Sequence, residues 1–237
     1  MKGYIEDKEF GKIYVELRRG MTSVRFTYHA DGHLLMRAPM GVKASHLLSM
    51  IEINREQLRR LPHPQSVSFQ FGQVIECFRC RVVIEPTNPR PGYLKTEWHD
   101  NNVLHVTMHE STDLDEFSAK QYISDRISEA MGYIANKELL PYAREIAKGL
   151  GLQPAGFEIG RGMRKLGHCT AKKVIQLSRN LMFLPEPLVR YVICHELAHL
   201  THMNHSPQFH ALVNQYTDGH EKDLEQQLRH FPFPILK

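Results

Sequence analysis

The hydrophobic residues of this chain change their spacing once, near residues 110–115, and that change limits what the chain can fold into. Before it, apolar positions mostly alternate with polar ones: Ile13, Val15 and Leu17 fall between charges, the period of a half-buried strand. Asp31-Gly32 reads as a turn between two further strand-like runs within residues 12–38. Residues 43–61 are an exception with helical spacing, closed by Pro62 and Pro64. Residues 66–85 and 93–109 return to alternation and are joined by the Pro/Gly-rich segment EPTNPRPGY. From Asp113 onward helical periodicity takes over, in 122–134 and 139–150. The expected fold class is therefore α+β, with a β-rich N-terminal lobe over 1–112 and a mainly helical lobe over 113–237.

Within the second lobe, residues 172–178 read as a strand carried by Val174, Ile175 and Leu177. Pro185 and Pro187 lead into a helix over 187–202. Another helix starts at Ser206-Pro207, because serine caps a helix N-terminus and proline suits its first turn. The length, 237 residues, supports a core without requiring two independent domains. With 42% apolar and 24% charged residues the composition is globular, neither disordered nor fibrous. No low-complexity stretch or internal repeat is evident.

The first twenty residues carry charges throughout, so neither a signal peptide nor a membrane anchor is expected there, and no other segment approaches membrane-spanning length. Four irregularly placed cysteines do not make a disulfide framework, and a reducing cytoplasm is expected. Cys77 and Cys80 form a lone C-x-x-C. On the strand expected there they point to opposite faces and cannot share an ion or a redox site. The net charge of +4 contains no dense basic block, so charge alone does not support a nucleic-acid partner. More informative are the 15 histidines, eight of them after residue 150, since imidazole suits metal binding and proton transfer near neutral pH.

Five residues concentrate that chemistry: His195-Glu196-Leu197-Ala198-His199 matches H-E-x-x-H. Residues i and i+4 stack on one helix face, so two imidazoles can reach one ion with Glu196 beside them to take a proton from water. Leu188, Val189, Val192, Ile193, Leu197 and Leu200 make this helix apolar over much of its circumference, which implies burial. A catalytic zinc commonly takes three protein ligands and keeps one open position. His202 is excluded as the third, because on an unbroken helix it lies about 10 Å along the axis from His195. His205 stands just before the next helix, where a turn can return it to the metal, and is preferred. Glu221 offers a carboxylate, although its segment HEKDLEQQL reads as a solvated charged face.

The stretch HELAHLTHMNHSPQF resembles the H-E-L-A-H-L…N-H-S-x-x-F signature of the YgjP-like metallopeptidase family, which is related to the WLM and SprT-like zincins. Upstream, MRKLGHCTAKKVIQLS, Pro185 and YVICHELAHL are similar to that family's R-W-G-S-C…I-x-L-N…P…Y-V-V-x-H-E-L-A-H-L. The resemblance implies His195, His199 and His205 as metal ligands. The chain departs from the pattern at Leu166 for tryptophan, His168 for serine, Ser178 for asparagine and His210 for tryptophan. The +10 spacing is shared with metzincins, but His202 replaces their glycine and no methionine follows Met203 for their Met-turn.

A zinc-dependent peptidase is thus expected. Zinc would lower the pKa of a bound water, Glu196 would act as general base and then proton donor, and a peptide or protein would be the substrate. Arg164, His168 and Tyr216 are candidates for oxyanion support. The 172–178 strand is expected to be the sheet edge that pairs with an extended peptide. Hydrolysis of nucleotides or other phosphoanhydrides, a DNA-associated peptidase and a non-catalytic zinc-binding module remain as alternatives at this level.

Overall fold

A computed structural model describes residues 2–29, 32–61, 67–88, 90, 92, 94–160 and 165–236. Asp31, Pro62, Pro64 and Arg164, singled out above, lie outside the described residues. The architecture mixes small sheets with helices, as the α+β expectation requires. The chain divides into two compact units, Met1–Ser66 and Val67–Lys237. The change of periodicity near 110–115 therefore falls inside the second unit, between its four-stranded sheet and its first helix.

In the first unit, β1 (Lys2–Asp7), β2 (Gly11–Arg18), β3 (Arg25–Tyr28) and β4 (Leu34–Pro39) form a sheet in the order β1-β2-β4-β3. The outer pairs are antiparallel and the central pair β2/β4 is parallel. Alternation turns Ile13, Val15, Leu34, Met36 and Ala38 inward against Leu47, Ile51 and Leu58 of helices α1 (Ala44–Ile53) and α2 (Arg55–Arg59). The single helix expected over 43–61 is broken at Asn54, whose side-chain amide donates to the Met50 carbonyl at 2.8 Å and so competes with the helical ladder. Just beyond, Arg55 reaches Asp7, Glu9 and Glu52 at 2.6–2.9 Å, tying the helices to the β1–β2 turn.

The second unit opens with β5 (Val74–Cys77), β6 (Cys80–Thr87), β7 (Leu94–His99) and β8 (Val103–His109). Their order, β5-β6-β8-β7, and their antiparallel, parallel, antiparallel pairing reproduce the first sheet. The absence of a sequence repeat thus did not carry over to topology, because pairing order leaves no fixed residue signature. Cys77 and Cys80 also need correction. They belong to two strands, not one, and face each other in register across the Phe78-Arg79 turn, where Arg79 has φ +54°. They are same-face neighbours; a hydrogen bond with Cys80, with burial, raises the Cys77 thiol pKa.

Helix α3 (Phe117–Ile134) covers this sheet with Ile123, Ile127, Met131 and Ile134. One wider π turn over Ala135–Leu139 links it to α4 (Leu140–Gly149). A three-stranded sheet follows, β9 (Gly156–Gly160), β10 (Gly167–Cys169) and β11 (Val174–Ser178), in the order β10-β11-β9. The 172–178 strand is therefore central, paired on both sides, and the expectation that it is the edge fails. The edges are β9 and β10, and β10, three residues long, is too short to show a period. Helices α5 (Glu186–Ala198), α6 (Pro207–Tyr216) and α7 (Glu221–Arg229) complete the unit around one shared core. No described helix is long and apolar enough to cross a membrane.

Candidate metal centre

Helix α5 is built to be buried. Leu188, Val189, Val192, Ile193 and Leu197 face the core, and His195 and Glu196 are carried on the same rigid element. The helix ends at Ala198, three to four residues short of the expected boundary, with His199 at its C-cap. Lys173, in the β10–β11 turn with φ +62°, accounts for the stop. Its ammonium donates to the Leu200 carbonyl at 2.6 Å and to the His199 carbonyl at 3.4 Å, serving acceptors that a helix end leaves open. The chain then turns, and Ser206 caps α6 by accepting the Phe209 N–H at 3.3 Å, as its Ser-Pro sequence predicts.

This turn brings His205 back to α5. One ring nitrogen from each of His195, His199 and His205 lies within 4.8 Å of the others, and no other such group of three occurs among the described residues. His195 Nε2 and His205 Nε2 are 3.1 Å apart. Nitrogens bound tetrahedrally at the usual zinc distance of about 2.0–2.1 Å are separated by about 3.3 Å, so this spacing suits one ion. His199 Nδ1 donates to the His202 carbonyl at 2.9 Å, which leaves its Nε2 lone pair free. Burial first, and then the neighbouring histidines, push the His195 pKa down to about 4; burial likewise lowers that of His199. A lowered pKa favours the neutral ring, the state in which imidazole binds a cation. Phe209, fully buried, stacks on His199 at 4.5 Å and meets His195 and His205 edge-on at 4.8 Å. Phe209, the aromatic residue of the H-S-x-x-F stretch, thus packs against all three rings.

Glu196 is buried at 6% exposure, and burial pushes its pKa up to about 7, opposed by the Cys169 backbone N–H and by Lys165. Strand β10 presses on this carboxylate. A Cβ added at Gly167 would lie 2.5 Å from Glu196 Cγ and 2.6 Å from Oε1, so any larger residue would force the Glu196 side chain to shift. A glycine inside a short strand signals such close approach, but the sequence does not say to what.

Glu221 is not with the histidines. It is buried, accepts from His210 Nδ1 at 2.6 Å, and is not on the solvated face expected for it. His202 contributes its carbonyl, not its ring. His168 stands exposed on β10, whereas Tyr216 packs against the core and burial raises its pKa. Cys194 is buried, donates to the Tyr216 carbonyl at 3.6 Å, and burial raises its thiol pKa to about 11, as suits a core residue.

A family model described as "YgjP-like, metallopeptidase domain" matches residues 22–231. The chain belongs to the YgjP-like family. A metallopeptidase domain implies a metal ion, and the three histidines form a group that could hold one. The crystal structure of the metallopeptidase zymogen jannalysin of Methanocaldococcus jannaschii is similar at 26% identity, covering 37% of this chain and 89% of that one, with a TM-score of 0.33. No curated protein matches. Two departures from the YgjP-like pattern find structural uses: Ser178 accepts the Asn180 N–H at 3.1 Å and ends β11, and His210 pairs with Glu221.

Proposed function

We propose that this metallopeptidase is a zinc-dependent peptidase of the cytoplasm in which His195, His199 and His205 hold the ion and Glu196 is the general base. The observation that carries this reading is the convergence of three imidazoles, with a buried carboxylate next to one of them on the same helix. Three nitrogens and one open position suit zinc. Four unpaired cysteines favour a reducing compartment. Every group in the proposed chemistry lies within 113–237, the lobe expected to be catalytic.

When bound, the zinc ion supplies an acidified water and polarises the scissile carbonyl. Glu196 would take a proton from the attacking water and return it to the leaving amine, a role favoured by the burial that raises its pKa. The Cys169 N–H holds the carboxylate in place, and Gly167 lets β10 lie close over it. Because Ser178 N–H donates to the Leu166 carbonyl, the alternate residues Gly167 and Cys169 turn their backbone groups away from β11. With the Cys169 N–H engaged by Glu196, the Gly167 N–H and C=O and the Cys169 C=O on this edge are where an extended peptide adds as a further strand.

Metal analysis of the purified protein, with assays on peptide and nucleotide panels, tests the reading. One zinc per chain is expected. Glu196→Gln should keep the metal and lose at least about 100-fold of peptide turnover, while His205→Ala should lose metal far more readily than Glu221→Ala. Retained turnover in Glu196→Gln, or equal metal loss from the last two, rejects the assignment.

A further inference from the structure

The formal charge is distributed unevenly. Residues 1–66 hold eleven Lys and Arg against seven Asp and Glu, whereas residues 67–237 hold nineteen of each. The whole net charge of +4 thus belongs to the first unit. The fold then sorts it by face. Asp7, Glu9, Glu52 and Glu56 gather around Arg55 and Arg59 on the helical side. On the outer sheet face, strand alternation places Lys12, Arg18, Arg25 and Arg37 against only Glu6 and Glu16.

Aromatic rings run across the same face. The Tyr4 and Tyr14 centroids are 6.2 Å apart, and Tyr14 meets His33 at 5.0 Å. Tyr4 is 55% and Tyr14 38% exposed, although both could have been turned inward by a one-residue shift of register. The Lys12 ammonium lies 4.9 Å from the Tyr4 centroid. Glu16 holds Arg18 and Arg37 upright at 2.8 and 3.0 Å, beside a depression of 360 Å³ lined also by Tyr14, His29 and His33. The second four-stranded sheet serves as an internal control. With the same topology, its outer face carries Glu76, Glu85 and Glu97 against Arg81 and Lys95, closes Lys95–Glu97 at 2.7 Å and His105–Glu85 at 2.9 Å, and has the His99–His105 pair at 4.3 Å as its rings, with no exposed Tyr, Trp or Phe among the described residues.

We propose that the outer face of β1–β4 binds single-stranded nucleic acid, with bases stacking on Tyr4, Tyr14 and His33 and phosphates held by Lys12, Arg18, Arg25 and Arg37. Cations alone would serve any polyanion. Open rings between them favour a ligand with both phosphate charges and exposed π-faces, and a duplex hides those faces.

The test is fluorescence anisotropy of the full chain with labelled twelve-nucleotide oligo-U RNA and oligo-dT, against duplex DNA and poly-glutamate. Single strands should bind best. With about four phosphates neutralised, affinity should fall about 50-fold between 50 and 200 mM salt. Tyr14→Leu should weaken binding about tenfold without changing the salt slope, and Arg25→Gln should weaken it while reducing the slope by about 0.7. Preference for oligo-U over oligo-dT would add a 2′-hydroxyl contact to the same face. The proposal is overturned if neither single strand binds at 50 mM salt, if duplex or poly-glutamate binds as tightly, or if both variants, shown folded by circular dichroism, bind like the parent. Binding here needs neither Glu196 nor a metal, so its failure leaves the peptidase reading untouched, and the reverse.

Discussion

The two four-stranded sheets share strand order and pairing pattern but differ in what covers them. The first is closed by two short helices over a small core running from Ile13 to Leu58, and its other face is left to solvent. The second is covered by α3, and its Val82, Ile84, Leu104, Val106 and Met108 join the core that also holds β11 and α5. Each such aliphatic side chain contributes about 1.5–3 kcal/mol when fully buried. The second sheet is thus energetically continuous with the helix bearing His195 and Glu196, and the first packs with α1 and α2. Topology alone does not assign a sheet its work. What packs on the inner face and what decorates the outer one do.

The largest expected contrast lies between two strand glycines. Gly167→Ala drives a Cβ into Glu196 and should lower peptide turnover at least about 100-fold while metal content is kept. Gly3→Ala in β1 meets nothing within 4 Å and should leave turnover unchanged. Full turnover in Gly167→Ala would show that β10 does not hold the carboxylate in place.

Core truncation comes next. Met131→Ala and Met36→Ala each empty a fully buried site and should cost about 2–5 kcal/mol. The first should also speed metal loss to a chelator. The second should raise hydrogen exchange only in residues 1–66, and faster metal loss from it would show that the two cores are coupled.

The smallest effect concerns acid. The hydrogen bond to Arg55 pulls the Asp7 pKa from 3.8 to about 2. A carboxyl held lower in the folded state stabilises above its unfolded pKa, so the contribution should disappear as pH falls from about 4 to about 2. The pair is partly buried, with Arg55 and Asp7 side chains 24% and 12% exposed, and the remaining solvent access keeps the effect modest. Protection of β1 and β2 amides should drop in that window, and Arg55→Ala should remove the step. An unchanged step in that variant would assign it to another carboxyl.

The elements read correctly from sequence are those with local causes. The alternation of Ile13, Val15 and Leu17, the serine cap at Ser206 and the apolar girdle of α5 each act within a few residues. The grouping of His195, His199 and His205 was legible for the same reason, since it needs only one helix and one turn. Readings that depended on distant pairing failed. Residues 174–178 look the same as an edge or a central strand, because Gly156–Gly160 and Gly167–Cys169 decide the matter from outside. Cys77 and Cys80 were misplaced because Phe78-Arg79 lacks the glycine or asparagine that marks most two-residue turns. The contact between Gly167 and Glu196 joins residues 29 positions apart and leaves only an unexplained glycine in the sequence.

The proposed ligands span only eleven residues, His195 to His205. Closing so short a loop carries little entropic penalty, so the unfolded chain can itself chelate the ion. A metal that binds both states stabilises the fold by less than its affinity for the native site suggests. Chelation should therefore shift the thermal midpoint of this protein less than it would for a site of equal affinity assembled from distant strands, and newly made chain can take up its ion before the second unit has finished folding.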